Sequence, residues 1–222
     1  MELGEKAKII GEKISRVKEE VHKIIVGKGN EVELIIATLA ARGHVLLEGV
    51  PGVAKTTMAK AIASALNLSF KRIQFTPDLL PTDIIGTVIY DPSRKRFNTR
   101  FGPIFTNILL GDEINRASPK TQSALLEAME ERQVTIEGKS YPIEEPFMVI
   151  ATQNPVEQEG TYPLPEAQLD RFLFKINISY PSRENETKML ETKFNGVNGR
   201  KPSKLFYRSE ILRLRKLVER VE

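Results

Sequence analysis

Apolar residues recur at steps of three and four between Leu3 and Ile25, where Ile10, Ile14, Val17, Val21 and Ile24 are separated by lysines and glutamates. That period predicts an amphipathic helix. Val26-Gly27 ends it, with glycine at a suitable C′ position. Asn30 can cap a second helix running to about Arg42, carrying Val32, Ile35, Ile36 and Leu39. The pattern then changes to short segments bounded by turn residues, several of them apolar runs. These predict strands after His44, at Ser69 to Phe75, at Asn107 to Gly111, at Phe147 to Thr152 and at Leu173 to Ile178. Helical composition lies between them. Met58 to Leu66 is one such segment, and Ser118-Pro119 opens another that is lined by Leu125, Leu126 and Met129. Asp78 to Ile85 reads as an irregular turn or short helix, and Ala167 to Arg171 as a helical turn.

Two pairs of short strands predict hairpins. Thr87 to Tyr90 pairs with Arg96 to Phe101 around Asp91-Pro92-Ser93, and the tip is basic through Arg94, Lys95 and Arg96. Gln133 to Ile136 pairs with Ser140 to Ile143 around Glu137-Gly138-Lys139. Strands alternating with helices predict an α/β core with a mostly parallel five-stranded sheet flanked by helices. Residues 1–180 form that core, and Pro181-Ser182 marks its boundary. Residues 181–222 read as the beginning of a helical unit with helices Glu184 to Phe194 and Glu210 to Val221. The second helix places Ile211, Leu214, Val218 and Val221 on one face, which has no obvious partner within the chain.

Composition narrows the class. Of the 222 residues, 41% are hydrophobic and 28% charged, the balance of a globular protein with a real core. No apolar run approaches a membrane span, and the charged N-terminus lacks the apolar block of a signal peptide. Absence of cysteine removes disulfides and thiolate metal sites and is compatible with a cytoplasmic chain. A net charge of +4 is too mild to argue for nucleic acid. His22 and His44, the only histidines, sit on a predicted helix and at a strand start, and read as structural.

The candidate chemistry centres on Glu48-Gly49-Val50-Pro51-Gly52-Val53-Ala54-Lys55-Thr56-Thr57. A strand, a glycine-bearing loop and a helix in that order fit a phosphate-binding loop. Convergent backbone N–H groups and a helix N-terminus favour anionic phosphates. Lys55 can reach the β- and γ-phosphates, and Thr56 can offer a hydroxyl to Mg²⁺. Ala54 stands where the pattern G-x-x-x-x-G-K-[ST] has its second glycine; a methyl group is tolerable there if φ is negative and awkward if it is positive. Val26-Gly27, ahead of the loop, is a candidate contact for an adenine ring. Asp112 closes an apolar strand and can hold Mg²⁺, and Glu113 beside it can polarise water. Asn154 ends the fourth strand, where its amide can meet water or the γ-phosphate. Arg171 can supply positive charge to a neighbouring subunit's site. No Asn-Lys-x-Asp segment is present to read guanine, which favours ATP over GTP.

Together these features resemble the AAA+ ATPases and, within them, the MoxR family. The matching stretches are Glu48 to Thr56, Phe101-Gly102-Pro103-Ile104-Phe105, Gly111-Asp112-Glu113-Ile114-Asn115-Arg116-Ala117, and Ala151 to Pro155 continuing through Glu157 to Phe172. The last is the most specific. The resemblance implies that Gly49 to Thr56 is Walker A, Asp112 and Glu113 are Walker B, Asn154 is sensor 1 and Arg171 is the arginine finger. Arg116 would either face a neighbouring subunit or form a salt bridge. The two hairpins look like the insertions of this clade. The resemblance further implies Mg-ATP hydrolysis at the subunit interfaces of a ring, most simply a hexamer. Its expected role is chaperone-like remodelling of partner complexes, with client proteins that often carry von Willebrand factor A domains. Family members continue through a lid bearing a second sensor arginine; none is assignable in Glu184 to Glu222. That leaves two alternatives open: a nucleotide switch or assembly subunit with little hydrolysis, and a DNA-dependent motor suggested by Arg94 to Arg96.

Overall fold

The computed structural model describes residues 3–155, 160–194 and 202–220. Helices α1 (Leu3–His22) and α2 (Gly29–Ala40) precede β1 (Val45–Gly49) and α3 (Lys55–Ala65). Then come β2 (Phe70–Gln74), the short α4 (Pro81–Ile85) and a hairpin of β3 (Gly86–Asp91) and β4 (Arg96–Phe101). Next are β5 (Ile108–Asp112), α5 (Pro119–Glu131) and a second hairpin of β6 (Gln133–Ile136) and β7 (Lys139–Pro142). The chain continues through β8 (Met148–Gln153), α6 (Glu166–Leu169), β9 (Phe174–Ile178), α7 (Arg183–Phe194) and α8 (Arg208–Val218).

The central sheet has five strands in the order β2-β5-β8-β1-β9, all parallel. Side chains alternate across a strand, and the core divides accordingly. Val45, Leu47, Ile108, Leu110, Met148 and Ile150 meet α1, α2 and α3 on one face. Leu46, Leu109, Phe147, Val149 and Ala151 meet α4 and α5 on the other. Both faces are therefore dry, as a parallel sheet requires. Truncating a fully buried residue such as Leu109 to alanine costs about 2–5 kcal/mol. The crevice between the strand ends carries the site, because loops leave the carboxyl ends of β1, β5 and β8 together.

Local signals explain most boundaries. Ser118 accepts a hydrogen bond from the Thr121 amide at 3.4 Å, and Pro119 opens α5. Glu137 and Gly138 both have positive φ, 47° and 76°. They make a two-residue hairpin loop of the kind that suits strand twist, so Lys139 joins β7 opposite Ile136 rather than the turn. Helix α2 starts at Gly29 with Lys28 as its N-cap, so Asn30 lies inside it. The buried Lys28 ammonium instead donates to the Ser179 carbonyl at 2.8 Å.

The C-terminal helix corrects an expectation. The face expected to lack a partner packs on α2: Ile211 is buried in the core cluster. The docked stripe is rotated from the expected one, because Arg215 rather than Val218 turns inward. Arg215 donates to the Leu39 carbonyl at 2.9 Å and the Phe147 carbonyl at 3.4 Å, and pairs with Glu145. Buried carbonyls and a carboxylate recruit the guanidinium and leave Val218 outside. Val221, the fourth residue of that expected face, lies outside the described residues.

Candidate functional site

The loop after β1 is built for close approach. A side chain on Gly49 would meet the Ile178 carbonyl at 2.4 Å, so β1 and β9 can lie together only with glycine there. Gly52 has φ +84°, and no atom lies within 4 Å of where its Cβ would stand, so its backbone faces open space. Ala54 is the N-cap of α3 at φ 61° and ψ 23°. This is the awkward case for a methyl group, a strain of about 1–2 kcal/mol. Val53 points into the core.

The loop borders a cavity of about 390 Å³. Pro51, Gly52, Ala54, Lys55, Thr56 and Thr57 form one wall, and Asp112, Glu113 and Asn154 form another. Three strands and a helix thus bring together residues about 100 positions apart in sequence. The Lys55 ammonium is buried and donates to the Gly49 carbonyl at 2.7 Å. Burial pushes its pKa down, against the opposing charges of Asp112 and Glu113. Thr56 Oγ1 lies 3.5 Å from Asp112 Oδ2. One hydroxyl and one carboxylate facing a shared cavity suit Mg²⁺, which keeps several waters and takes phosphate oxygens for the rest.

Glu113 sits in the left-handed region at φ 57° and ψ 50°. Its amide donates to Thr152 Oγ1 at 2.9 Å, and that hydroxyl donates to Asp112 Oδ1 at 2.6 Å. The fully buried Thr152 thereby fixes both acids to β8. Arg116 Nη1 lies 3.2 Å from Glu113 Oε2, an ion pair within the chain. Two residues escaped the sequence reading. Arg72 donates to Asp112 Oδ2 through Nε at 3.1 Å and Nη2 at 2.7 Å, and Gln74 Nε2 donates to Glu113 Oε2 at 2.8 Å. The available signal was two long polar side chains at alternate positions of a strand, which share one face.

Arg171 is elsewhere. It lines a second cavity of about 400 Å³ with Arg42, His44, Glu130, Arg132 and Asp170. Its Nη1 donates to the Leu126 carbonyl at 3.0 Å and it pairs with Glu130. Val26 and Gly27 do not line the first cavity; Gly27 abuts the Asn185 side chain of α7 so closely that a Cβ would lie 2.2 Å from it. Gly49, Val50 and Val53 also lie behind the cavity surface. Glu157 to Glu159, within the most specific stretch of the resemblance, lie outside the described residues. Among the described residues no helix is long and apolar enough to cross a membrane.

Known proteins resemble this chain in sequence and in fold. A model of the ATPase family associated with various cellular activities (AAA) matches residues 44–174. Chaperone MoxR1 of Mycobacterium tuberculosis is 52% identical over 204 residues, covering 92% of this chain and 54% of that protein. Protein MoxR of Methylorubrum extorquens is 36% identical over 173 residues, covering 75% of this chain and 50% of that protein. A Cytophaga hutchinsonii crystal structure superposes with TM-score 0.87 at 46% identity, covering 98% of this chain and 66% of that one. The chain spans about half the length of the curated relatives it matches. By its matched family region and these identities, the chain belongs to the MoxR family of AAA+ ATPases.

Proposed function

We propose that this chain is the nucleotide-hydrolysing module of a chaperone-like ATPase, which binds Mg-ATP and cleaves it at subunit interfaces to remodel partner complexes. The observation that carries the reading is the single cavity shared by Lys55, Thr56, Asp112, Glu113 and Asn154. Amides of the loop and the N-terminus of α3 hold the phosphates. Lys55 adds a buried positive charge at the β- and γ-phosphates. Thr56 and Asp112 hold Mg²⁺, which when bound neutralises and orients the phosphate oxygens. Glu113 accepts a proton from water as it attacks the γ-phosphorus, the bond to the β–γ bridging oxygen breaks and ADP leaves, and Asn154 orients that water.

Arg171 and its cavity complete the site in trans. Its place on a separate surface, paired with Glu130, supports a head-to-tail arrangement that can close into a ring, with a hexamer as the expected size. The name of the Mycobacterium tuberculosis relative, a chaperone, supports a client protein as the partner.

The test is ATP turnover as a function of protein concentration, with Glu113→Gln alongside. Specific activity rises as subunits assemble, and Glu113→Gln loses turnover while keeping nucleotide binding. Equal turnover in the Gln variant would remove Glu113 from the chemistry. Flat specific activity across the dissociation range would remove the shared site.

A further inference from the structure

Arg72 and Gln74 lie on the edge strand β2, in register with the end of β5: Gln74 pairs with Asp112. The Arg72 guanidinium directs N–H groups of Nε and Nη2 onto one atom, Asp112 Oδ2, at 3.1 and 2.7 Å. That is also the oxygen nearest Thr56 Oγ1, at 3.5 Å. The other carboxylate oxygen, Oδ1, is occupied by the Thr152 hydroxyl at 2.6 Å. A cation seated between Thr56 and Asp112 meets the oxygen nearer Thr56, and that oxygen already accepts both hydrogen bonds from the arginine. Nη2 of Arg72 also donates to Gln74 Oε1 at 2.8 Å, orienting the amide that donates to Glu113 at 2.8 Å. One arginine thus touches the metal ligand directly and the proposed base through a single amide.

Resting on the Mg-nucleotide reading above, we propose that Arg72 is an internal stand-in for the metal. It neutralises Asp112 in the metal-free protein, and Mg²⁺ must displace it to enter. A Mg–O bond is about 2.0–2.1 Å long. Guanidinium and dication cannot both approach one oxygen so closely without mutual repulsion. The planar fork of arginine suits the task, since it offers two donors to one carboxylate. Its side chain is 47% exposed, so release into water is inexpensive. Displacement also removes the donor that aligns Gln74 on Glu113. Arrival of the metal and release of the base are therefore linked through one positioning residue.

The experiment titrates Mg²⁺ into the full chain with a fluorescent, non-hydrolysable ATP analogue. Anisotropy is followed for the wild type, Arg72→Ala, Arg72→Gln and Arg72→Lys. The Mg²⁺ concentration giving half of the metal-dependent gain in affinity falls roughly three- to tenfold in the Ala and Gln variants. It falls less in Arg72→Lys, which keeps the charge but loses the fork. Melting temperature without nucleotide gives an independent readout: Mg²⁺ raises it more in Arg72→Ala than in the wild type. An unmoved Mg²⁺ midpoint in folded Ala or Gln variants overturns the assignment and leaves the nucleotide reading standing. Loss of all analogue binding in those variants also overturns it, making Arg72 a phosphate ligand. No analogue binding by the wild type at any Mg²⁺ concentration overturns both readings.

Discussion

The two cavities differ in what they lack. The one beside the β1 loop holds a buried lysine, two threonines, two acids and two amides, and the cation nearest its acids, Arg72, is committed to Asp112. The one beside Arg171 holds three arginines and no phosphate-binding loop. In the proposed reading each supplies what the other needs for phosphoryl transfer, which requires both a held nucleotide and a charge at the transition state. Two such surfaces on one chain make sense when copies meet head to tail.

The strongest way to break this comparison is Arg171→Ala. If Arg171 acts as an arginine finger, turnover of the assembled protein falls by roughly 10³–10⁵, while nucleotide affinity of the isolated protomer stays unchanged. Mixing Arg171→Ala with Glu113→Gln subunits should restore part of the activity, because some interfaces regain both groups. Absence of any recovery in mixtures that do co-assemble would separate the two cavities functionally.

Lys55→Ala attacks the first cavity alone. Removing a buried charge opposite phosphate should weaken ATP binding by roughly 30-fold or more, as measured by calorimetry, without altering assembly of the metal-free chain. Comparable affinity in the variant would move the phosphates elsewhere.

A pH experiment probes the wall of the second cavity. His44 is buried; its Nδ1 accepts from the Val149 amide at 2.9 Å, and its Nε2 faces the Met129 carbonyl at 3.2 Å. Burial lowers its pKa to about 4 from an ordinary 6.5, with Arg132 and Arg215 lowering it further against the Met129 carbonyl. The unfolded chain thus binds the proton more readily. Stability from the neutral ring is complete above pH 6.5, declines as pH falls, and is lost by about pH 4. The full loss is about 3 kcal/mol. Urea unfolding at pH 7.5, 6 and 5 should show the decline. Glu145 contributes at lower pH: burial raises its pKa, but Arg215, Arg132 and Arg42 pull it below 4.5. Equal stability at pH 7.5 and 5 would contradict a neutral, desolvated His44.

The smallest effect belongs to the loop itself. Ala54→Gly relieves a left-handed alanine and should stabilise the fold by about 1 kcal/mol at most, offset by the flexibility glycine adds when unfolded. A shift in melting temperature of a few degrees would register it. Marked destabilisation would mean that the methyl group makes contacts outweighing the strain.

The elements that sequence reading located share a property: their signal is local. The five segments read as strands became the five parallel strands, and Ser118-Pro119 opened α5. Asp112-Glu113 stood out because two acids closing an apolar run break its pattern. Arg72 and Gln74 gave no such contrast, since polar residues on an edge strand are ordinary. Only the pairing of β2 with β5 places them on the acids. The sign of φ at Ala54 was open for the same reason: loop conformation depends on what the loop encloses. The inward turn of Arg215 depended on Glu145, a partner 70 positions away.

Arg215 and Asn154 bracket a single strand. The arginine grips the carbonyl of Phe147, just before β8 begins at Met148, and Asn154 follows the strand's last residue, Gln153. Six residues of extended chain make a rod about 20 Å long, clamped between neighbours along its length. Helix α8 and the Asn154 amide are thus tied to opposite ends of one stiff strand.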